Sequence, residues 1–171
     1  LSTATEALGS DSQHVRLLLT GSLVTEPWRD VTWLQTLRLG GSEPLGGTEL
    51  FGEGLFKAGG PATVRGFEID TVGPLLELGN AVIPLGGGAM FILNQELRFP
   101  VWQDLRGAVF VDIGQVWRSW SEVDSIFAVG TGIGIRWGTP VGPLWVDAAW
   151  PVADRGPNEG ARYSFGIGRT F

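Results

Sequence analysis

The sequence predicts an all-β fold, an antiparallel transmembrane β-barrel segment of about eight strands, and three features carry that reading. Apolar residues recur at every second position along most of the 171-residue chain. Glycine and polar residues fill the positions between them. The connections alternate between short turns and longer polar loops. A period of two belongs to strands, whose successive side chains point to opposite faces. Glycine is abundant at 27 residues, and Lys57 is the one lysine, so strong helix formers are sparse in the apolar segments. No apolar run approaches the eighteen or so residues of a spanning helix.

Taken in order, residues 1–8 form the tail of one strand. In the next, Val15, Leu17, Leu19 and Leu23 oppose His14, Arg16, Thr20 and Ser22. Residues 31–39 set Trp33, Leu37 and Leu39 against Thr32, Thr36 and Arg38. Phe91, Leu93, Leu97 and Phe99 oppose Asn94, Glu96 and Arg98, and Val109, Val111, Ile113 and Trp117 oppose Ala108, Phe110, Asp112 and Gly114. The contrast sharpens in 127–137, where Phe127, Val129, Thr131, Ile133, Ile135 and Trp137 face away from Ala128, Gly130, Gly132, Gly134 and Arg136. Leu144, Val146, Ala148 and Trp150 then oppose Trp145, Asp147 and Ala149. The last strand carries Tyr163, Phe165, Ile167 and Phe171 against Ser164, Gly166, Gly168 and Thr170. Lengths near the roughly 9–11 residues of a tilted spanning strand are expected.

Residues 25–30, 100–105 and 138–142 read as short turns at one end of the barrel. Residues 9–13, 40–87, 119–124 and 153–160 are the connections at the other. That asymmetry is characteristic of outer-membrane barrels, whose longer loops lie outside the cell. Trp28, Trp102, Trp117, Trp120, Trp137 and Trp150 stand near expected strand ends, where an aromatic girdle would lie. A soluble β-sandwich binding module would bury the same apolar stripes between two sheets, and alternation alone does not separate the two.

Composition excludes several classes. Twelve basic against eighteen acidic residues give a net charge of −6, which lacks the footprint of a nucleic-acid binder. There is no cysteine and one histidine, leaving no thiolate metal site and little basis for an imidazole one. No nucleophile elbow, phosphate loop or zinc-helix motif occurs. The run Gly130-Thr131-Gly132-Ile133-Gly134 lies inside an alternating strand rather than opening a helix, so it serves close backbone approach rather than a dinucleotide. Glu68 and Asp70 lack an evident catalytic partner. No enzyme activity, catalytic residue, cofactor or metal is expected. The chain opens at Leu1 without a basic-then-apolar leader, so a removed leader or an excised part is expected.

The connection 40–87 is too long to be a bare linker. It holds Gly59-Gly60-Pro61-Ala62-Thr63-Val64-Arg65-Gly66-Phe67. Here Val64-Arg65-Gly66-Phe67 resembles the VRGF/Y signature of the BamA/TamA-type outer-membrane superfamily, which includes the two-partner secretion transporters. Four further blocks resemble that family in the same order. They are Asn94-Gln95-Glu96-Leu97-Arg98-Phe99-Pro100, Phe110 to Trp117, Gly132 to Trp137 followed by Pro140 to Leu144, and Phe165 to Phe171.

The resemblance implies a sixteen-stranded barrel of which this chain is the C-terminal part, with loop 40–87 folded inward into the lumen. It implies that Arg65 contacts Glu96 and Asp112 on the barrel wall. A guanidinium suits that task because several donors engage carboxylates at once. Without the resemblance, the simpler reading leaves Arg65 an exposed loop charge and the acids as lining of a wet wall. The terminal block Tyr163, Phe165, Gly166, Ile167, Gly168 and Phe171 resembles the β-signal read during membrane insertion, with Arg169 where an apolar residue is usual. Trp145 stands where relatives often carry a polar residue. The implied role is outer-membrane protein assembly and insertion, with a polypeptide-secretion pore as the alternative. The implied partners are outer-membrane lipids, unfolded outer-membrane or secreted polypeptide clients, and upstream barrel strands and periplasmic modules. The bacterial outer membrane is the implied location.

Overall fold

A computed structural model describes residues 2–4, 14–46, 50, 52–79, 81–140, 142–153 and 156–168. The strands are β1 (Ser2–Ala4), β2 (His14–Trp28), β3 (Val31–Pro44), β4 (Leu75–Leu78), β5 (Ala81–Pro84), β6 (Ala89–Trp102), β7 (Leu105–Trp117), β8 (Ala128–Trp137), β9 (Leu144–Ala153) and β10 (Arg162–Ile167). Eight of them form one antiparallel sheet in the order β1-β2-β3-β6-β7-β8-β9-β10, while β4 and β5 make a separate hairpin. Apart from the excursion between β3 and β6, each strand pairs with its successor in sequence. Short turns at Arg29–Asp30 and Gln103–Asp104 close two of the hairpins, with Asp30 and Gln103 at positive φ.

The register stacks like residues in rows across the sheet. Trp33, Leu97, Val109, Ile133, Ala148 and Tyr163 lie side by side on one face. Leu34, Glu96, Phe110, Gly132, Ala149 and Arg162 form a row on the other. Burial along these rows is inverted relative to a water-soluble protein. Leu19, Leu23, Ile133, Ile135, Val146, Phe165 and Ile167 are exposed, whereas Asn94, Glu96, Asp112 and Asp147 are fully buried. A sandwich would do the opposite, so this arrangement answers the choice left open by alternation. An apolar outer face with a polar inner one is what a lipid solvent selects.

Several expectations are corrected. β2, β3, β6 and β7 have 15, 14, 14 and 13 residues, longer than the spanning minimum. β3 runs on to Pro44, so the long connection begins later than residue 40. Trp117 is not a girdle residue. It is buried, donates to Asp124 Oδ1 at 3.0 Å and packs edge-on against Phe127. At the turn end, Trp28, Trp102 and Trp137 are exposed.

The connection after β3 crosses the inner face as a lasso. Backbone bridges pair Phe56 with Gly87 and Ala58 with Val72, closing its neck. Phe56, Ala58, Val64, Phe67 and Val72 from the lasso pack with Met90, Ile92, Val116 and Ala128 from the sheet. The hydrophobic core therefore lies between loop and wall, not between two sheets. Among the described residues, β1 pairs with β2 and β10 with β9, and the two ends of the sheet do not meet.

Candidate functional site

Arg65 is almost wholly buried, at 1% exposure, on the inner face of β6 to β9. Its Nε and Nη2 donate to the two carboxylate oxygens of Asp112, at 2.7 and 2.9 Å, and its own backbone N–H adds a third bond to Asp112 at 3.0 Å. Nη1 donates to Glu96 Oε2 at 2.6 Å and to Asp147 Oδ2 at 3.3 Å. The guanidinium also lies over the Phe110 ring, 3.5 Å from its centroid. Bidentate geometry of this kind is specific to arginine.

The same carboxylates hold two further arginines. Arg136 donates from Nη2 to Glu96 Oε2 at 2.8 Å and to Asp147 Oδ2 at 3.1 Å, and its Nη1 bonds Asp147 Oδ1. Arg98 Nε reaches Glu96 Oε1 at 2.6 Å. Arg65, Arg98 and Arg136 thus balance Glu96, Asp112 and Asp147. Charges this deep survive only when paired and hydrogen-bonded. Burial on its own would lower the Arg65 pKa. Hydrogen bonds and charge from Asp112 and Glu96 outweigh it and hold the group above its ordinary value. Among the described residues, no group of His, Asp or Glu is arranged to hold a metal. The three carboxylates converge, and each is taken up by arginine.

Local sequence makes room for this. Gly66 has φ +93°, and a Cβ there would lie 2.8 Å from the Trp150 carbonyl carbon on β9. A Cβ on Gly130 would overlap the Arg65 carbonyl oxygen, and one on Gly134 would overlap the Asp147 carboxylate. Val64 sits over Gly114, and Phe67 is buried in the core. Asn94 ties the loop further, donating to the Thr63 carbonyl at 2.6 Å and to Asp112 Oδ1 at 2.8 Å. Arg38 on β3 adds a bond to the Ala62 carbonyl at 2.9 Å.

A sequence profile of the Omp85 superfamily domain matches residues 1–171. The chain belongs to the Omp85 superfamily. This is a family of outer-membrane protein insertion and translocation, and the chain is part of an outer-membrane β-barrel. It is 28% identical to the outer membrane protein assembly factor BamA of Neisseria meningitidis serogroup B, over 68% of this chain and 18% of that protein. It is 30% identical to the chloroplastic outer envelope protein 80 of Arabidopsis thaliana, over 66% of this chain and 14% of that one. The crystal structure of Haemophilus ducreyi BamA lacking POTRA domains 1–3 superposes with a TM-score of 0.70 at 23% identity, covering 90% of this chain and 34% of that one. The chain thus spans less than a fifth of the length of these two sequence relatives.

The structure brings Val64, Arg65, Gly66 and Phe67 together with Glu96 and Asp112. At the other end of this Omp85 sheet, Tyr163, Phe165 and Ile167 project from the outer face of β10, while Gly166 lies under the Trp145 indole on the inner face. Gly168 has φ +98°, and Phe171 falls outside the described residues. The sequence does not single out Asp147 as a partner of Arg65, or Arg136 and Arg98 as cations sharing its carboxylates. A signal existed: Asp147 and Arg136 occupy a face otherwise made of glycine, alanine and Trp145, where a buried charge demands a partner. Asn158 carried no such signal, because it lies in a connection with no periodicity.

Proposed function

We propose that this chain is the C-terminal part of the barrel of an outer-membrane assembly factor. In this reading the 45–88 loop stays folded in the lumen as a fixture, and β10 offers its edge to client strands. The observation that supports it best is the Arg65 cluster. Arg65 from the loop and five charges on β6, β7, β8 and β9 pair with one another and make the loop part of the wall. A secretion pore would need the loop to leave, exposing three buried carboxylates with only two arginines. The similarity to BamA points the same way. An edge strand is a template for β-augmentation, so β10, bonded on one side to β9, is the natural receiver.

The test uses the full parent protein in lipid vesicles with an unfolded outer-membrane barrel as client. Accelerated client folding, together with crosslinking of the client to a cysteine placed at Phe165, is expected. Passage of a soluble polypeptide into the vesicle without faster barrel folding would overturn the reading in favour of the secretion pore.

A further inference from the structure

The lasso is held at a second place, independent of Arg65. Directly after Phe67 the chain makes a turn in which the Thr71 N–H donates to the Glu68 carbonyl at 3.2 Å and Asp70 takes φ +65°. Asn158, fully buried, meets this turn from the β9–β10 connection. Its Oδ1 accepts the Glu68 N–H at 2.7 Å and lies 3.2 Å from the Thr71 hydroxyl, which is also 2.9 Å from the Glu68 carbonyl. The turn packs closely on the opposite leg, where a Cβ on Gly59 would overlap the Glu68 carbonyl oxygen. Asn158 stands shortly before Arg162, the first residue of β10, and Arg162 itself approaches Glu68 at 3.7 Å.

We propose that Asn158 is a positioning residue that ties the return leg of the loop to the start of β10, so that loop and edge strand move as one body. Arg65 fixes the outward leg to β6, β7 and β9, and Asn158 fixes the return leg to the strand that receives clients. The second half of this statement rests on the proposed role of the β10 edge. The geometry suits such a coupler because a carboxamide oxygen accepts two donors at once, and a buried N–H left without its acceptor is costly.

Hydrogen exchange on the full parent protein in lipid nanodiscs tests the latch without any client. In Asn158→Leu, the amides of 68–72 and of the first residues of β10 exchange on the order of tenfold faster, as expected for losing the Glu68 N–H bond together with the shared Thr71 hydroxyl contact. The Arg65 amide, bonded to Asp112, stays protected. Thr71→Val leaves the Glu68 N–H bond to Asn158 Oδ1 in place and raises exchange at 68–72 less than Asn158→Leu does. Unchanged exchange at 68–72, or equal acceleration at Arg65 and 68–72, overturns the latch. Accelerated exchange at 68–72 with β10 unaffected overturns the coupling. Client folding measured on the same variants addresses the proposed function separately: a latch that opens without slowing folding removes the role of β10 and leaves the latch standing.

Discussion

Arg65 spends its guanidinium on three carboxylates and one aromatic ring, and each contact comes from a different strand or row. Removing one partner from a buried ionic cluster is far more damaging than the cluster's net contribution to stability, at roughly 3–5 kcal/mol. Arg65→Ala is therefore expected to release the loop while the sheet, which loses no ladder bonds, stays folded. Protease sensitivity confined to 45–88, with an unchanged strand signature in circular dichroism, checks this. Arg65→Lys recovers the charge without the fork, so it restores protection only in part. Double-mutant cycles of Arg65 with Glu96, Asp112 and Asp147 should each show coupling of about 0.5–3 kcal/mol. Strict additivity with all three acids would remove the network. At Gly130 the steric case is sharper, because a Cβ there meets the Arg65 carbonyl oxygen on rigid backbone. Gly130→Val should displace the loop as effectively as Arg65→Ala, with the charges untouched.

The strands act as two-sided elements, and the two sides answer to different solvents. Ile133 is 58% exposed in the middle of β8 and its neighbours in the row are Val109 and Ala148. Ile133→Arg should cost about 2–4 kcal/mol near the bilayer midplane, against little for a change at the turn end. Reversible folding into lipid vesicles at graded urea measures that difference. On the inner side, Gly132 and Gly134 give Phe110 and the Arg136–Asp147 pair their space. Gly134→Leu should disrupt the cluster even though the substitution adds apolar surface to a strand. Enhanced loop proteolysis without loss of strand signal is the expected outcome.

At the scale of the molecule, the apolar belt runs across nearly the whole outer face. The parent protein should need detergent or lipid and show heat-modifiable gel migration, and a monodisperse detergent-free monomer would contradict the membrane reading. Among the described residues the sheet ends at β1 and β10 without joining. An eight-stranded closed barrel has an interior just wide enough for side chains. The lasso fills far more than that, so these strands should curve around it as part of a wider wall. Crosslinking cysteines placed in β10 to strands upstream of Leu1 in the parent protein, rather than to β1, is the expected pattern.

The sequence by itself determined the strands, their faces and the belt, because a period of two is a local property of the chain written in residue order. It also placed Glu96 and Asp112 on the inner face by parity, although their pairing with Arg65 rested on resemblance to a family. Other facts were decided only by tertiary structure. Trp117 looks like a girdle residue by position and is instead covered by the 118–127 connection. Asp147 becomes a partner of Arg65, and Arg136 shares Glu96 and Asp147 with it, because β8 and β9 bring them to the same point as β6 and β7. Asn158 gains its contacts with Glu68 and Thr71 from a turn about ninety residues earlier. Periodicity records which way a side chain points, whereas a contact between distant segments depends on how far the sheet curves and where the loop settles. No local pattern encodes that distance.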